Sequence, residues 1–257
     1  MPARIAVAGK GGTGKTTLSA LITTYFVSTD KTPILAVDAD PNANLNEALG
    51  VEYDRSVVDT IDEIMNDGAA PAGVTKSQLV EYQVHDSLVE SKGFDLLVMG
   101  HTEGPGCYCH ANDLLRAFLD KLASSYKYVL MDNEAGMEHL SRRTTRDLDA
   151  LLLVANPTAT SLRSADRIHK LVQKLKLSIK KNYLVLNHMN AVEPTGNGSG
   201  YKEILEGIQQ DGLPLLGEIP YDTAVAERSM AARGVMDLPT DGVTLRAVGE
   251  IVERLDA

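Results

Sequence analysis

Gly9-Lys10-Gly11-Gly12-Thr13-Gly14-Lys15-Thr16-Thr17 decides how the rest of the chain is read. The apolar run Arg4 to Ala8 (RIAVA) leads into it, and Thr16 to Phe26 behind it reads as a helix. Gly9, Gly14, Lys15 and Thr16 fit G-x-x-x-x-G-K-[ST], a loop whose backbone N–H groups cradle phosphates. In such a loop the lysine meets the β- and γ-phosphates and the threonine hydroxyl meets Mg²⁺. The four fixed positions alone recur by chance in roughly one chain in a hundred of this length. The strand before and the helix after therefore carry much of the assignment. Gly11, Gly12, Thr13, Gly14, Lys15, Thr16 and Thr17 are the candidate nucleotide contacts, with Thr16 a candidate Mg²⁺ ligand.

Working outward, the 257 residues suffice for a sizeable core, and one P-loop α/β domain over 1–257 is the expected organisation. Hydrophobic content of 44% and charged content of 23% suit a soluble globular protein. A net charge of −10 argues against a constitutive nucleic-acid binder, and no basic stripe stands out along the sequence, although an acidic balance does not exclude a local basic patch. No apolar stretch approaches the ~18 residues of a membrane span, and no secretory signal is read at the N-terminus. The only cysteines, Cys107 and Cys109, stand one residue apart, a poor spacing for a structural disulfide. These features point to the cytoplasm.

Further strands are expected at Pro33 to Asp38, Phe94 to Met99, Tyr128 to Met131, Leu151 to Ala155, Asn182 to Asn187 and Leu215 to Ile219. Helices are expected at Asn44 to Leu49, Thr160 to Leu175 and Tyr201 to Gln210. The Leu245, Val248, Ile251, Val252 and Leu255 period adds a terminal helix, whose acidic polar face suits packing on the sheet better than a membrane. Alternating strands and helices make a doubly wound α/β fold, a mostly parallel sheet covered by helices on both faces. Ligands of such sheets bind at the C-terminal strand ends, where Asp40 and Asp132 fall. Asp40 is thereby placed to orient or deprotonate a water near a γ-phosphate. Asp38 is as well suited to cap the helix at Asn44 as to take part in catalysis. Residues Tyr53 to Leu88 carry helical spacing at Val57, Ile61 and Ile64 and no assigned chemistry.

The second anchor is Gly104-Pro-Gly-Cys-Tyr-Cys-His-Ala-Asn-Asp113. Its cysteines sit among Gly, Pro, Tyr, His and Asn, which is no apolar core setting. Two thiolates are too few to close a tetrahedral metal site, whereas a two-fold dimer opposing two pairs supplies four. His101 and His110 flank the pair and are open as further ligands or as solvated loop residues.

Lys10 gives the phosphate loop a second lysine, and in this it resembles the deviant Walker A loop of the MinD/ParA/nitrogenase iron protein family of dimeric ATPases. With DADPNANL (38–45), GCYCHAN (106–112) and DNEAGMEHLSRRT (132–144), the chain resembles the CooC-type maturation ATPases, which help place nickel in carbon monoxide dehydrogenase or acetyl-CoA synthase. The resemblance implies ATP hydrolysis in a homodimer in which Lys10 reaches the partner's nucleotide and Asp40 activates water. It further implies that Asp132 holds Mg²⁺ through water, that Gly136 meets the γ-phosphate, that Asn187 reads adenine and that the Pro220 loop packs on the base. It implies that Cys107 and Cys109, with their mates across the dimer, hold Ni²⁺ or Zn²⁺. His188 departs from the arginine frequent in the family, which leaves base stacking open, and the client is carbon monoxide dehydrogenase or acetyl-CoA synthase, with neither nucleic acid nor membrane. Two other readings remain: an iron–sulfur reductase or carrier like nitrogenase iron protein, with a bridging cluster on the same thiolates, and a MinD/ParA-like positioning ATPase.

Overall fold

The computed structural model describes residues 2–66, 73–100, 119–134, 147–189 and 199–256. Strands β1 (Ala3–Gly9), β2 (Ile34–Ala39), β3 (Val89–Glu90), β4 (Phe94–Val98), β5 (Tyr128–Asn133), β6 (Leu148–Ala155), β7 (Ile179–Met189) and β8 (Leu215–Pro220) join in one sheet. Its order is β3-β4-β2-β5-β1-β6-β7-β8, and every pairing is parallel except that of β3 with β4. The apolar runs are continuous because such strands are buried on both faces.

Side chains alternate across the pleat and build two cores. Ala6, Val37, Met131, Leu153 and Leu186 point to one face, where they meet α3 (Val57–Asn66), α4 (Lys76–Asp86), the helical residues 119–123, α5 (Ala159–Leu175) and α6 (Ser199–Gln210). Val7, Ala36, Leu130, Leu152 and Val185 point to the other, against α1 (Lys15–Ser28), α2 (Leu45–Leu49) and α8 (Val243–Asp256). The terminal helix packs on α1 and β8, as its apolar stripe requires. The short α7 (Thr223–Met230) buries no residue of its own and is held at its start by Asp222, whose side chain accepts from the Ala224 N–H.

Three elements go beyond the expectations, one of them the two-residue strand β3. Helix α4 occupies part of the stretch left uninformative, and a capping box announces it: Thr75 accepts from the Gln78 N–H while Gln78 accepts from that of Thr75. Helix α7 lies in a segment assigned only a turn at Pro220 to Asp222. The expected strands and helices otherwise form, with ends shifted by a few residues.

The connection after α7 is docked on α2 through bare backbone. The Val235 N–H donates to the Ala48 carbonyl at 2.9 Å, and a Cβ on Gly234 would lie 2.5 Å from the Gly50 nitrogen and 2.6 Å from its Cα. Neither neighbour is a side chain that could turn aside. Gly234→Ala is expected to cost about 1–3 kcal/mol of stability, as overpacked contacts do. Urea unfolding measures it, and an unchanged midpoint would mean that the connection yields freely.

Candidate functional site

At the C-terminal end of β1 the backbone must turn sharply into α1. Gly14 makes the turn as the residue before the helix, at φ +84°, and a Cβ there would lie 2.3 Å from the Asn187 side-chain nitrogen. Gly9 packs so closely on β6 that a Cβ would lie 2.5 Å from the Val154 carbonyl oxygen. Between them the Thr13 hydroxyl and N–H both donate to the Lys10 carbonyl, at 2.8 and 3.3 Å. The helix N-terminus thus presents its unpaired N–H groups toward the loop's concave side, a geometry that favours an anion. Lys15 is buried, whereas Lys10, Gly11 and Gly12 are exposed.

Beside this loop lie two carboxylates in register on adjacent strands, Asp38 of β2 and Asp132 of β5. Asp38 is fully buried and accepts from the Leu45 N–H at 2.8 Å and the Asp40 N–H at 3.1 Å. It therefore ties the 38–45 loop down and caps α2, in line with the capping role of the two left open by the sequence. Burial raises its pKa to about 6, against the opposing pull of the backbone N–H groups. Asp40 stays half-buried and accepts from the Asn42 N–H and side-chain amide, both at 2.9 Å, which fixes the turn into α2.

Asp132 is 1% exposed. It accepts from the Ser19 hydroxyl at 3.3 Å and feels the nearby Thr16 hydroxyl, while its Oδ2 has no hydrogen-bond partner among the described residues. Burial is the main cause that raises its pKa to about 7; the negative charge of Asp38 adds to this, and Thr16 and Lys15 oppose it. An orphaned, buried carboxylate oxygen next to a threonine hydroxyl and a phosphate-type loop fits Mg²⁺, which takes one or two carboxylates, commonly through water, besides phosphate oxygens.

The far wall comes from β7 and β8. Asn187 donates to the Thr13 carbonyl at 2.9 Å and accepts from the His188 N–H at 2.9 Å, so its amide keeps one N–H and one lone pair for a ligand. His188 adopts φ +58°, stands edge-on to Tyr221 at 6.1 Å, and is kept neutral by burial, which lowers its pKa. Together with Gly14, Thr17, Pro220, Asp222 and Met230 they line a cavity of about 420 Å³. A neighbouring cavity of about 350 Å³ continues past Lys15 and Thr16 to Asn44, Glu47 and Arg233. The two meet at Gly12, Gly14 and Thr17, and their volumes leave room for a base and sugar on one side of the loop and phosphates on the other.

The structure thus brings together Lys15, Thr16, Asp132, Asn187 and Pro220 around the loop. Gly136, Cys107, Cys109, His101 and His110 lie outside the described residues, among which there is no cluster of three metal-ligating side chains. Sequence reasoning missed Asn156 at the end of β6, whose side-chain nitrogen reaches the Gly12 carbonyl at 3.5 Å and whose N–H donates to Ser161 at 2.9 Å. Its position after a buried strand is the signal that marked Asp132, and it was available. Ser19 and Arg233 carried no such mark.

A parallel sheet whose first strand ends in a phosphate loop, with an acidic strand end beside it and a base-sized cavity beyond, defines a P-loop nucleotide-binding protein. The chain belongs to the CobQ/CobB/MinD/ParA nucleotide binding domain family, whose model matches residues 5–235. It is 39% identical to an uncharacterised ATP-binding protein of Methanocaldococcus jannaschii, over 98% of this chain and 97% of that one. It is 31% identical to the carbon monoxide dehydrogenase accessory protein CooC of Rhodospirillum rubrum, over 91% of this chain and 90% of the relative. Among solved structures, the septum site-determining protein MinD of Pyrococcus horikoshii, complexed with Mg-ADP, superposes with a TM-score of 0.71 at 21% identity. That likeness covers 100% of this chain and 96% of the other, and it is one of fold.

The raised pKa values of Asp38 and Asp132 have a definite sign. The folded protein holds protons that the unfolded chain, with carboxyls near 3.8, releases. Their contribution to stability is complete below about pH 4 and is lost as pH rises through 6 and 7. Asp132→Asn should flatten the upper part of this decline and stabilise the ligand-free protein at pH 7, while abolishing the gain that Mg²⁺ adds to ADP protection in thermal unfolding. A mutant as steep in pH as the wild type would refute the assignment.

Proposed function

We propose that the protein is an ATPase that serves as a nickel-maturation factor for carbon monoxide dehydrogenase or acetyl-CoA synthase, working as a nucleotide-controlled homodimer. The observation that carries this reading is the Cys107-Tyr108-Cys109 pair in a chain that is 31% identical to a carbon monoxide dehydrogenase accessory protein across nearly its whole length. The loop Gly11 to Thr17 holds the phosphates of ATP, Asn187 and the Pro220 turn hold the base, and Gly136 donates to the γ-phosphate. Thr16 and Asp132 would hold Mg²⁺, which would supply positive charge to the phosphate oxygens. Asp40 accepts the proton of the attacking water as the bond to the leaving ADP oxygen breaks, giving ADP and phosphate. Exposed Lys10 reaches the partner's nucleotide and adds positive charge where the transition state needs it.

Nickel is the cargo, held by four thiolates when two Cys107/Cys109 pairs face each other. Thiolates are soft, suit nickel, zinc or copper(I), and leave selectivity to geometry and supply. Nucleotide and metal both act on the dimer, so each alters the other's affinity by the same factor.

Asp40→Asn should lower ATP hydrolysis by about 10²–10⁴-fold, the usual contribution of a general base, with little change in ADP affinity. Cys107→Ser with Cys109→Ser should keep nucleotide binding while losing tight Ni²⁺ and the metal-induced dimer, read by light scattering with metal analysis on reduced protein. Equal nickel affinity with ADP and with a non-hydrolysable ATP analogue would end the coupling proposal. A brown anaerobic preparation with iron and labile sulfide would replace nickel carriage with an iron–sulfur role.

A further inference from the structure

Residues 159–181 hold seven of the chain's 25 lysines and arginines but one of its 35 carboxylates, a local net charge of +6 against −16 for the remainder. The expectation that no basic stripe stands out was made on the linear sequence, and helix α5 overturns it. Arg163, Arg167, Lys170 and Lys174 recur at intervals of four, three and four, which puts them within an arc of about 60° on one helix face. All four are exposed, as is Lys176, which caps the helix end in a left-handed conformation. The opposite face, with Leu162, Ala165, Ile168 and Val172, is buried on the sheet.

Ion pairing accounts for only part of this charge. Lys170 is shared by Asp166 at 2.9 Å and Asp211 at 3.1 Å, and Lys180 is paired with Asp149 at 2.7 Å. Arg163, Arg167, Lys174 and Lys176 form no ion pair with a described residue. Along one flank of the stripe lie Leu171 and Leu175, 38% and 42% exposed and one turn apart. Long cations are ordinary on a solvated helix. Cations of one sign beside two exposed leucines, in a protein otherwise strongly acidic, are not.

We infer that the outer face of α5 is a docking surface for a partner protein that presents carboxylates beside an apolar strip. The leucines decide between classes of partner. A nucleic acid would reward the cations alone, offering phosphates to neutralise and nothing to cover Leu171 and Leu175. An anionic membrane needs a free apolar helix face, and that of α5 is spent on the sheet. An acidic protein surface satisfies both features: charge steers the encounter, and the leucines supply a dry centre. Helix α5 begins at the nucleotide end of the sheet, where Asn156 binds both Ser161 and Gly12, and runs back along the sheet. Its C-terminal cations therefore lie away from the nucleotide cavities, so a partner can dock there whether ATP is bound or not. The inference does not depend on the nickel reading.

The test uses the full chain and a fluorescent helical peptide with a glutamate stripe flanked by leucines, alongside a scrambled peptide of the same composition, duplex DNA and phosphatidylglycerol vesicles. Binding of the ordered peptide in preference to the other three is expected. Arg163→Glu, Arg167→Glu and Lys174→Glu together should weaken it tenfold or more, and Leu171→Ser with Leu175→Ser at least threefold, with ATP hydrolysis unchanged in both variants. The proposal is overturned if the scrambled peptide binds equally well, if DNA or vesicles bind more tightly, or if the leucine variant binds like the wild type. Concentration-dependent self-association abolished by the charge reversal would assign the face to a second copy of the chain and overturn it also.

Discussion

Two carboxylates buried side by side at the ends of neighbouring parallel strands set the terms for everything around the phosphate loop. Asp38 and Asp132 are in register, both nearly inaccessible, with Lys15 the buried cation beside them. Burying such charge is expensive unless hydrogen bonds or counterions compensate. Asp38 is compensated by the protein itself, through the N–H groups that begin α2. Asp132 is only half compensated: its unpartnered oxygen is balanced by a proton at low pH and is open to a cation as the pH rises. The division separates a carboxylate tied down by backbone N–H groups from one that keeps an oxygen free.

The sheet was legible because parallel strands buried on both faces must be nearly continuous runs of apolar residues. Leu151 to Ala155 could be recognised without knowing its neighbours. The phosphate loop was equally plain, since its glycines answer to local backbone needs. Helix α7 was obscure for the opposite reason: it buries nothing, so it carries no apolar period to read. Asn156 shows a different limit. Its contact with Gly12 depends on β6 lying next to β1, and strand order is a property of the whole sheet. The basic stripe on α5 was hidden for a third reason, because cations spaced along 163–176 look dilute until the helix stacks them.

The site is assembled from elements far apart in sequence, and the joints between them are short. Asn187 fastens β7 to the phosphate loop through the Thr13 carbonyl while holding His188 in its left-handed conformation. One amide thus positions both the loop that faces phosphates and the imidazole that faces the larger cavity. The imidazole and Tyr221, set edge to face, give that cavity an aromatic corner, with Asn187, Thr17 and Asp222 among its polar groups. Substitution at Asn187 would consequently disturb the phosphate loop and the wall of the larger cavity together.

The glycine pair at 50 and 234 has a mechanical meaning. Side-chain contacts are compliant, because rotamers shift and absorb small displacements. Backbone against backbone has less slack, so a displacement of α2 is passed to the connection leaving α7 rather than absorbed. One of them follows the loop that begins at Asp40, and the other borders the cavity between Lys15 and Arg233. The joint ties the entry to α2 to one wall of that cavity, so a shift on either side is felt on the other.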